Sequence, residues 1–124
     1  MSSPVPTEIT YHQKSRVLEI AFSTGERFEL SAEYLRVYSP SAEVRGHGPG
    51  QEVLQVGKEN VSIDRIEQVG NYAVRLCFDD GHHTGLYSWD ELYRLGCERV
   101  DLWADYLARL NASGHKRDSA GPAN

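Results

Sequence analysis

The chain has only two cysteines, Cys77 and Cys97, in 124 residues. That is too few for the disulfide scaffold of a small secreted protein, and no Cys-x-x-Cys spacing marks a zinc ribbon or thioredoxin-type site. Basic charge is also short: thirteen Lys+Arg face eighteen Asp+Glu, a formal net charge of −5. Sequence-independent nucleic-acid binding relies on counterion release at a cationic surface, so this balance argues against it. Long apolar runs are missing, which argues against a membrane span, and Met1-Ser2-Ser3-Pro4 lacks the basic-then-apolar pattern of a secretory signal. No internal repeat is visible. The expected setting is the cytoplasm. What the chain does have is material for a core: 40% of residues are hydrophobic, with seven Tyr, three Phe and two Trp. That suits one ordinary domain and excludes wholesale disorder.

Alternation organises the first thirty residues. Ile9 and Tyr11 alternate with Thr10 and His12. Leu18, Ile20 and Phe22 share one face against Val17, Glu19 and Ala21, and Phe28 and Leu30 alternate with Arg27 and Glu29. Polar breaks at His12–Ser15 and Ser23–Glu26 predict an antiparallel meander of three strands. Ser31 is placed to cap a short helix that gives way at Ser39-Pro40. The stretch from Ser41 to Gly57, with Arg45-Gly46-His47-Gly48-Pro49-Gly50 inside it, reads as a long loop.

The second half repeats the strand pattern and then changes period. Val61 to Val69 reads as extended, and Tyr72, Val74, Leu76 and Phe78 alternate with Ala73, Arg75 and Cys77. An Asp-Gly turn at Asp80-Gly81 leads into a partner strand from His83 to Tyr87. Ser88-Trp89-Asp90-Glu91 has the form of a capping box. Leu92, Gly96, Val100, Trp103, Leu107 and Leu110 then follow helical spacing, with Gly96 as a dividing point between two helices. The expected class is α+β: about five to seven antiparallel strands in hairpins, with a C-terminal helix or helix pair packed on the sheet. Residues 1–6 read as a flexible lead, 7–110 as the domain and 111–124 as a disordered tail.

Chemistry is sparse. Asp79, Asp80, His82 and His83 form the densest polar cluster, but hairpin tips are polar in their own right. Adjacent strand side chains also point to opposite faces, so His82 and His83 are poorly placed to share one ion. The glycine-rich loop around His47 lacks the Gly-Lys-Ser/Thr of a phosphate cradle. No Gly-x-Ser-x-Gly elbow exists, and no histidine starts a His-x-Asp/Glu pair for an iron facial triad. The residues therefore lean away from an enzyme.

Two blocks carry a family resemblance. Val69-Gly70-Asn71-Tyr72-Ala73-Val74-Arg75-Leu76, continuing through Phe78-Asp79-Asp80-Gly81-His82-His83-Thr84-Gly85-Leu86-Tyr87-Ser88-Trp89, is the first. Tyr34-Leu35-Arg36-Val37-Tyr38-Ser39-Pro40-Ser41-Ala42-Glu43-Val44-Arg45-Gly46-His47-Gly48 is the second. Together they resemble the gamma-butyrobetaine-hydroxylase-like N-terminal domain, which also occurs alone in bacteria as small proteins of unknown function. The resemblance implies an accessory domain, because in the carnitine-synthesis dioxygenases iron and 2-oxoglutarate belong to a separate catalytic domain. This chain ends where that domain would begin, so no hydroxylase activity carries over. The resemblance also implies a structural zinc held by three cysteines and one histidine. His82 matches the histidine, but Ser39, Ser41 and Val44 stand in the cysteine stretch. Similar domains fused to Mrp-type ATPases imply, as an alternative, a metal-handling or adaptor role in iron–sulfur cluster assembly or transfer.

The expectation is thus a non-catalytic accessory or binding module. Its candidate surface is Tyr72, Asp80, His82, His83, Tyr87 and Trp89, with His47 as neighbour: imidazoles as donors and aromatics as contact area. A protein is the expected partner, with no nucleic acid and no membrane. No cofactor is called for by the residues, and zinc or iron would be the metals to look for.

Overall fold

The computed structural model describes residues 4–46 and 53–115. Strands β1 (Pro6–His12), β2 (Val17–Phe22) and β3 (Arg27–Ser31) form one antiparallel sheet in that order. Short helices α1 (Ala32–Val37) and α2 (Ala42–Arg45) follow. A second antiparallel sheet is built from β4 (Ile63–Val69), β5 (Ala73–Phe78) and β6 (Leu86–Ser88). Helices α3 (Trp89–Cys97) and α4 (Arg99–Ala112) close the described chain. The α+β class and the three-strand meander are as the alternation predicts. Helix α2 is a single turn inside the stretch read as loop. The rest of the glycine-rich segment, His47 included, lies outside the described residues, as do most of the expected tail and the first residues of the expected lead.

Register places the apolar face of each strand inward. Ile20 pairs with Ile9 and Phe28, Leu18 with Tyr11 and Leu30, and Val74 with Tyr87. Leu18, Ile20, Phe22 and Leu30 from the first sheet meet Ile63, Val74, Leu76, Phe78 and Tyr87 from the second. Leu35 of α1 and Leu92 and Leu95 of α3 complete this core. Helix α4 adds a smaller cluster, Tyr106 and Leu110 against Val37. Two tyrosines, Tyr34 buried and Tyr38 half-buried, tie the layers together: Tyr34 Oη donates to the Leu95 carbonyl and Tyr38 Oη to that of Leu102, both at 2.7 Å.

Helix starts follow the caps read from sequence. Ser31 Oγ accepts the Tyr34 N–H at 3.0 Å, and Ser88 Oγ accepts that of Glu91 at 3.1 Å. The reciprocal half of the capping box is replaced, however. The Glu91 carboxylate is taken by Arg45 at 3.2 Å and Arg94 at 2.6 Å. The helix break falls at Glu98, two residues after Gly96. Gly96 belongs to the last turns of α3, where its missing side chain lets the helix approach the Phe28 ring. A β-carbon there would stand 2.4 Å from Phe28 Cδ2.

Candidate functional site

The β5–β6 hairpin carries most of the polar residues, and its two sides do different things. On the inner side, Leu76 and Phe78 enter the core, and the chain then turns through Asp79-Asp80-Gly81. Gly81 takes a φ of +91°, open to glycine at no steric cost. The Phe78 N–H reaches the His82 carbonyl at 2.9 Å, and Asp80 Oδ1 accepts the His82 N–H at 3.1 Å. Asp80 Oδ2 receives Arg36 Nε at 2.9 Å and Lys58 Nζ at 2.7 Å. Burial acts to raise the Asp80 carboxyl, but the bonds from Lys58, the His82 N–H and Arg36 outweigh it and hold it down at about 2. Arg36 is itself buried, and its Nη1 has no hydrogen-bond partner among the described residues.

Beside this ion cluster the hairpin is clasped to the exit of α1. His82 is 5% exposed and Ser39 1%, and Ser39 Oγ lies 2.9 Å from His82 Nε2. Ser39 Oγ also accepts the Ser41 N–H at 3.3 Å, and Ser41 Oγ meets Thr84 Oγ1 at 2.8 Å. Gly85 admits this contact, since a β-carbon there would stand 2.5 Å from Ser39 Oγ. Tyr87 is fully buried and donates to the Leu35 carbonyl at 2.5 Å, and burial pushes its phenol above the ordinary value.

The six described residues of the expected surface therefore occupy four places. Asp80 and His82 belong to the clasp, and Tyr87 to the core. His83, exposed, faces an outer groove. Tyr72, 57% exposed, and half-buried Trp89 lie at the opposite end of β5, joined by the Trp89 N–H to the Tyr72 carbonyl at 2.9 Å. His82 and His83 point to different sides, as adjacent positions predict.

The groove is the second feature. Arg65, Glu67, Arg75, Cys77, His83, Thr84 and Leu86 line about 540 Å³ on the outer side of the second sheet. Sequence reasoning named His83 and the outward position of Cys77 but not their charged neighbours. The signal was there in the alternation Arg65-x-Glu67 and Arg75-x-Cys77, once β4 and β5 are set in register.

The sequence pattern of the family described as "Gamma-butyrobetaine hydroxylase-like, N-terminal" matches residues 9–93, more than half of the chain. The chain belongs to this family. Two solution NMR structures resemble this family member over nearly its whole length. One is 54% identical, with a TM-score of 0.80, covering 99% of this chain and 95% of the other. The second is 45% identical, with a TM-score of 0.81, covering 98% and 96%. A crystal structure from Acidithiobacillus ferrooxidans ATCC 23270, of a DUF971-family protein with unknown function, is 39% identical. Its TM-score is 0.65, and the match covers 77% of this chain and 98% of that one. No curated protein matches.

Zinc-holding members use three cysteines and one histidine. At the corresponding positions this family member offers two hydroxyls, a valine and one imidazole, whose Nε2 is engaged by Ser39. A structural zinc is held by four thiolate or imidazole ligands, so this set does not fit it. Among the described residues, no group of three or more His, Cys, Asp or Glu side chains is arranged to hold a metal ion. Both cysteines are free, Cys77 buried and Cys97 exposed. No described helix is long and apolar enough to cross a membrane.

Proposed function

We propose that this protein is a non-catalytic binding module that receives a protein partner on the outer face of its second sheet. The groove beside β5 carries the reading: it brings two arginines, a histidine and an exposed leucine together on an otherwise acidic chain. Its volume of about 540 Å³ falls within the roughly 300–1,000 Å³ of ligand-sized sites. The burial of the clasp supports the non-catalytic part. Ser39 and His82 have the spacing of a nucleophile and its base, but a nucleophile must meet its substrate, and both are enclosed.

Capture from native lysate, followed by cross-link mapping, tests the reading. A variant altered on the groove face, Arg75→Glu with Leu86→Lys, should lose the partner that wild type retains. Val100→Lys, on the exposed side of α4, should keep it. Equal recovery by wild type and the groove variant would remove the second sheet as the recognition surface. Replacing His82 would be a poor probe, because that ring belongs to the folded interior.

A further inference from the structure

The outer face of the second sheet is organised by cross-strand pairing. Arg65 stands opposite Cys77, Glu67 opposite Arg75, and Arg75 opposite Leu86. Cys77 is the short side chain between two long arginines, so the surface sinks there into the groove. Glu67 Oε2 takes Arg65 Nη2 at 3.0 Å, and its Oε1 takes Arg75 Nη1 at 3.2 Å. Two guanidiniums are therefore already trained on a carboxylate. Both bridges are open to water, with Arg65 70% and Arg75 45% exposed, so Glu67 orients the arginines without holding them tightly. Each guanidinium carries five N–H donors in a planar fork, more than one shared carboxylate can accept. The local balance, two cations to one anion, is opposite in sign to the chain's net charge of −5.

We propose that this groove binds a carboxylate side chain within an acidic segment of a partner polypeptide, with Arg65 and Arg75 as the binding residues. Leu86 adds apolar contact beside them, and His83 and Thr84 bound the far end. The proposal rests on the binding-module reading and names the chemistry its surface selects. A guanidinium donates readily to carboxylate oxygens, and Glu67, with one oxygen on each arginine, shows that pairing already made within the chain.

The test is an NMR titration of the full, isotope-labelled chain with the blocked peptide acetyl-Glu-Leu-Glu-Leu-Glu-amide. Amides of Arg65, Glu67, Arg75, Cys77 and Leu86 should shift, and added salt should weaken the effect. The Gln-for-Glu peptide, and the Arg65→Gln/Arg75→Gln variant with the original peptide, should each bind at least about tenfold more weakly. Glu67→Gln, which removes the competing carboxylate, should bind more tightly, a readout that a folding defect would not produce. Glutarate and inorganic phosphate serve as free anions and should bind more weakly than the peptide. Equal binding of the Gln peptide, shifts confined to other parts of the fold, or free anions matching the peptide would overturn the proposal. If lysate capture depends on the groove but the acidic peptide causes no shift there, the carboxylate assignment fails and the module reading stands. If the peptide binds and capture ignores the groove, the module reading fails instead.

Discussion

The two sheets share a plan and differ in what they show to solvent. Each has three antiparallel strands with one face in the common core. The outer face of the first is an acid-rich ladder: Glu19 accepts from His12 and Arg27, and Arg27 also reaches Glu8. Between β2 and β3, Glu19 pairs with Glu29. The outer face of the second inverts the ratio, with Arg65 and Arg75 sharing Glu67, and it is interrupted by Cys77. Backbone architecture alone therefore assigns no role. Sign of charge and one short side chain separate a ladder from a groove. The sheets also differ in how they are secured, because the hairpin of the second carries the Asp80 ion cluster on buried Arg36 and the enclosed Ser–His clasp.

The largest effect should come from breaking what is particular to the second sheet. Asp80→Ala would strand buried Arg36, and an uncompensated buried charge costs about 3 kcal/mol in chemical denaturation. Arg36→Met in the same chain should recover part of that loss. An additive double variant would show that the pair is not coupled. The pH dependence has a definite sign. The Asp80 carboxyl is held at about 2, below its ordinary 3.8, so its contribution is present above the unfolded value. It should fade as pH drops from about 4 towards about 2, and Asp80→Asn should flatten that part of the stability profile.

Gly96→Ala sets helix propensity against packing at the seam between the first sheet and α3. Propensity alone favours alanine by about 1 kcal/mol. The new methyl would meet the Phe28 ring at 2.4 Å, so overpacking should win, with a net loss of about 1–2 kcal/mol. Phe28→Leu should relieve it. A more stable Gly96→Ala would show that the ring can move aside.

What was legible in the sequence follows the range of the interactions involved. The meander rests on period-two alternation and the helix starts on serine caps, all within a few residues, and these were readable. Gly96 suggests a break because glycine weakens helices locally, whereas its reason is Phe28, 68 positions earlier in the chain. Glu91 left the capping box for Arg45 and Arg94. The site was less legible still. Arg36 with Asp80 and Ser39 with His82 join residues 44 and 43 positions apart, and nothing in either local pattern announces the other. His82 and Tyr87 stood out as polar and aromatic side chains near a turn, but long-range packing turned both inward.

The clasp offers a third way to sharpen the contrast. Ser39→Ala removes the hydroxyl that meets His82 at 2.9 Å in the interior and should cost about 1–2 kcal/mol. Zinc added to wild type should leave the thermal midpoint unchanged, because the donor set does not suit it. The triple replacement Ser39→Cys, Ser41→Cys and Val44→Cys should instead gain a zinc-dependent midpoint. Zinc stabilisation of the wild type would mean that other ligands converge on His82.

The smallest expected stability effect bears most directly on function. Arg27→Gln disturbs the ladder of the first sheet and Arg75→Gln that of the second, and both arginines are open to water. Exposed bridges contribute about 0–1 kcal/mol, so the two variants should melt within about 5 °C of each other and of wild type. Their response to the acidic peptide should nevertheless diverge, with Arg75→Gln weakened and Arg27→Gln unchanged. The divergence would show that the second sheet's charges serve recognition while adding little to the fold. If Arg27→Gln weakened peptide binding equally, the effect would belong to net charge, and the inverted ratio on the second sheet would have no local meaning.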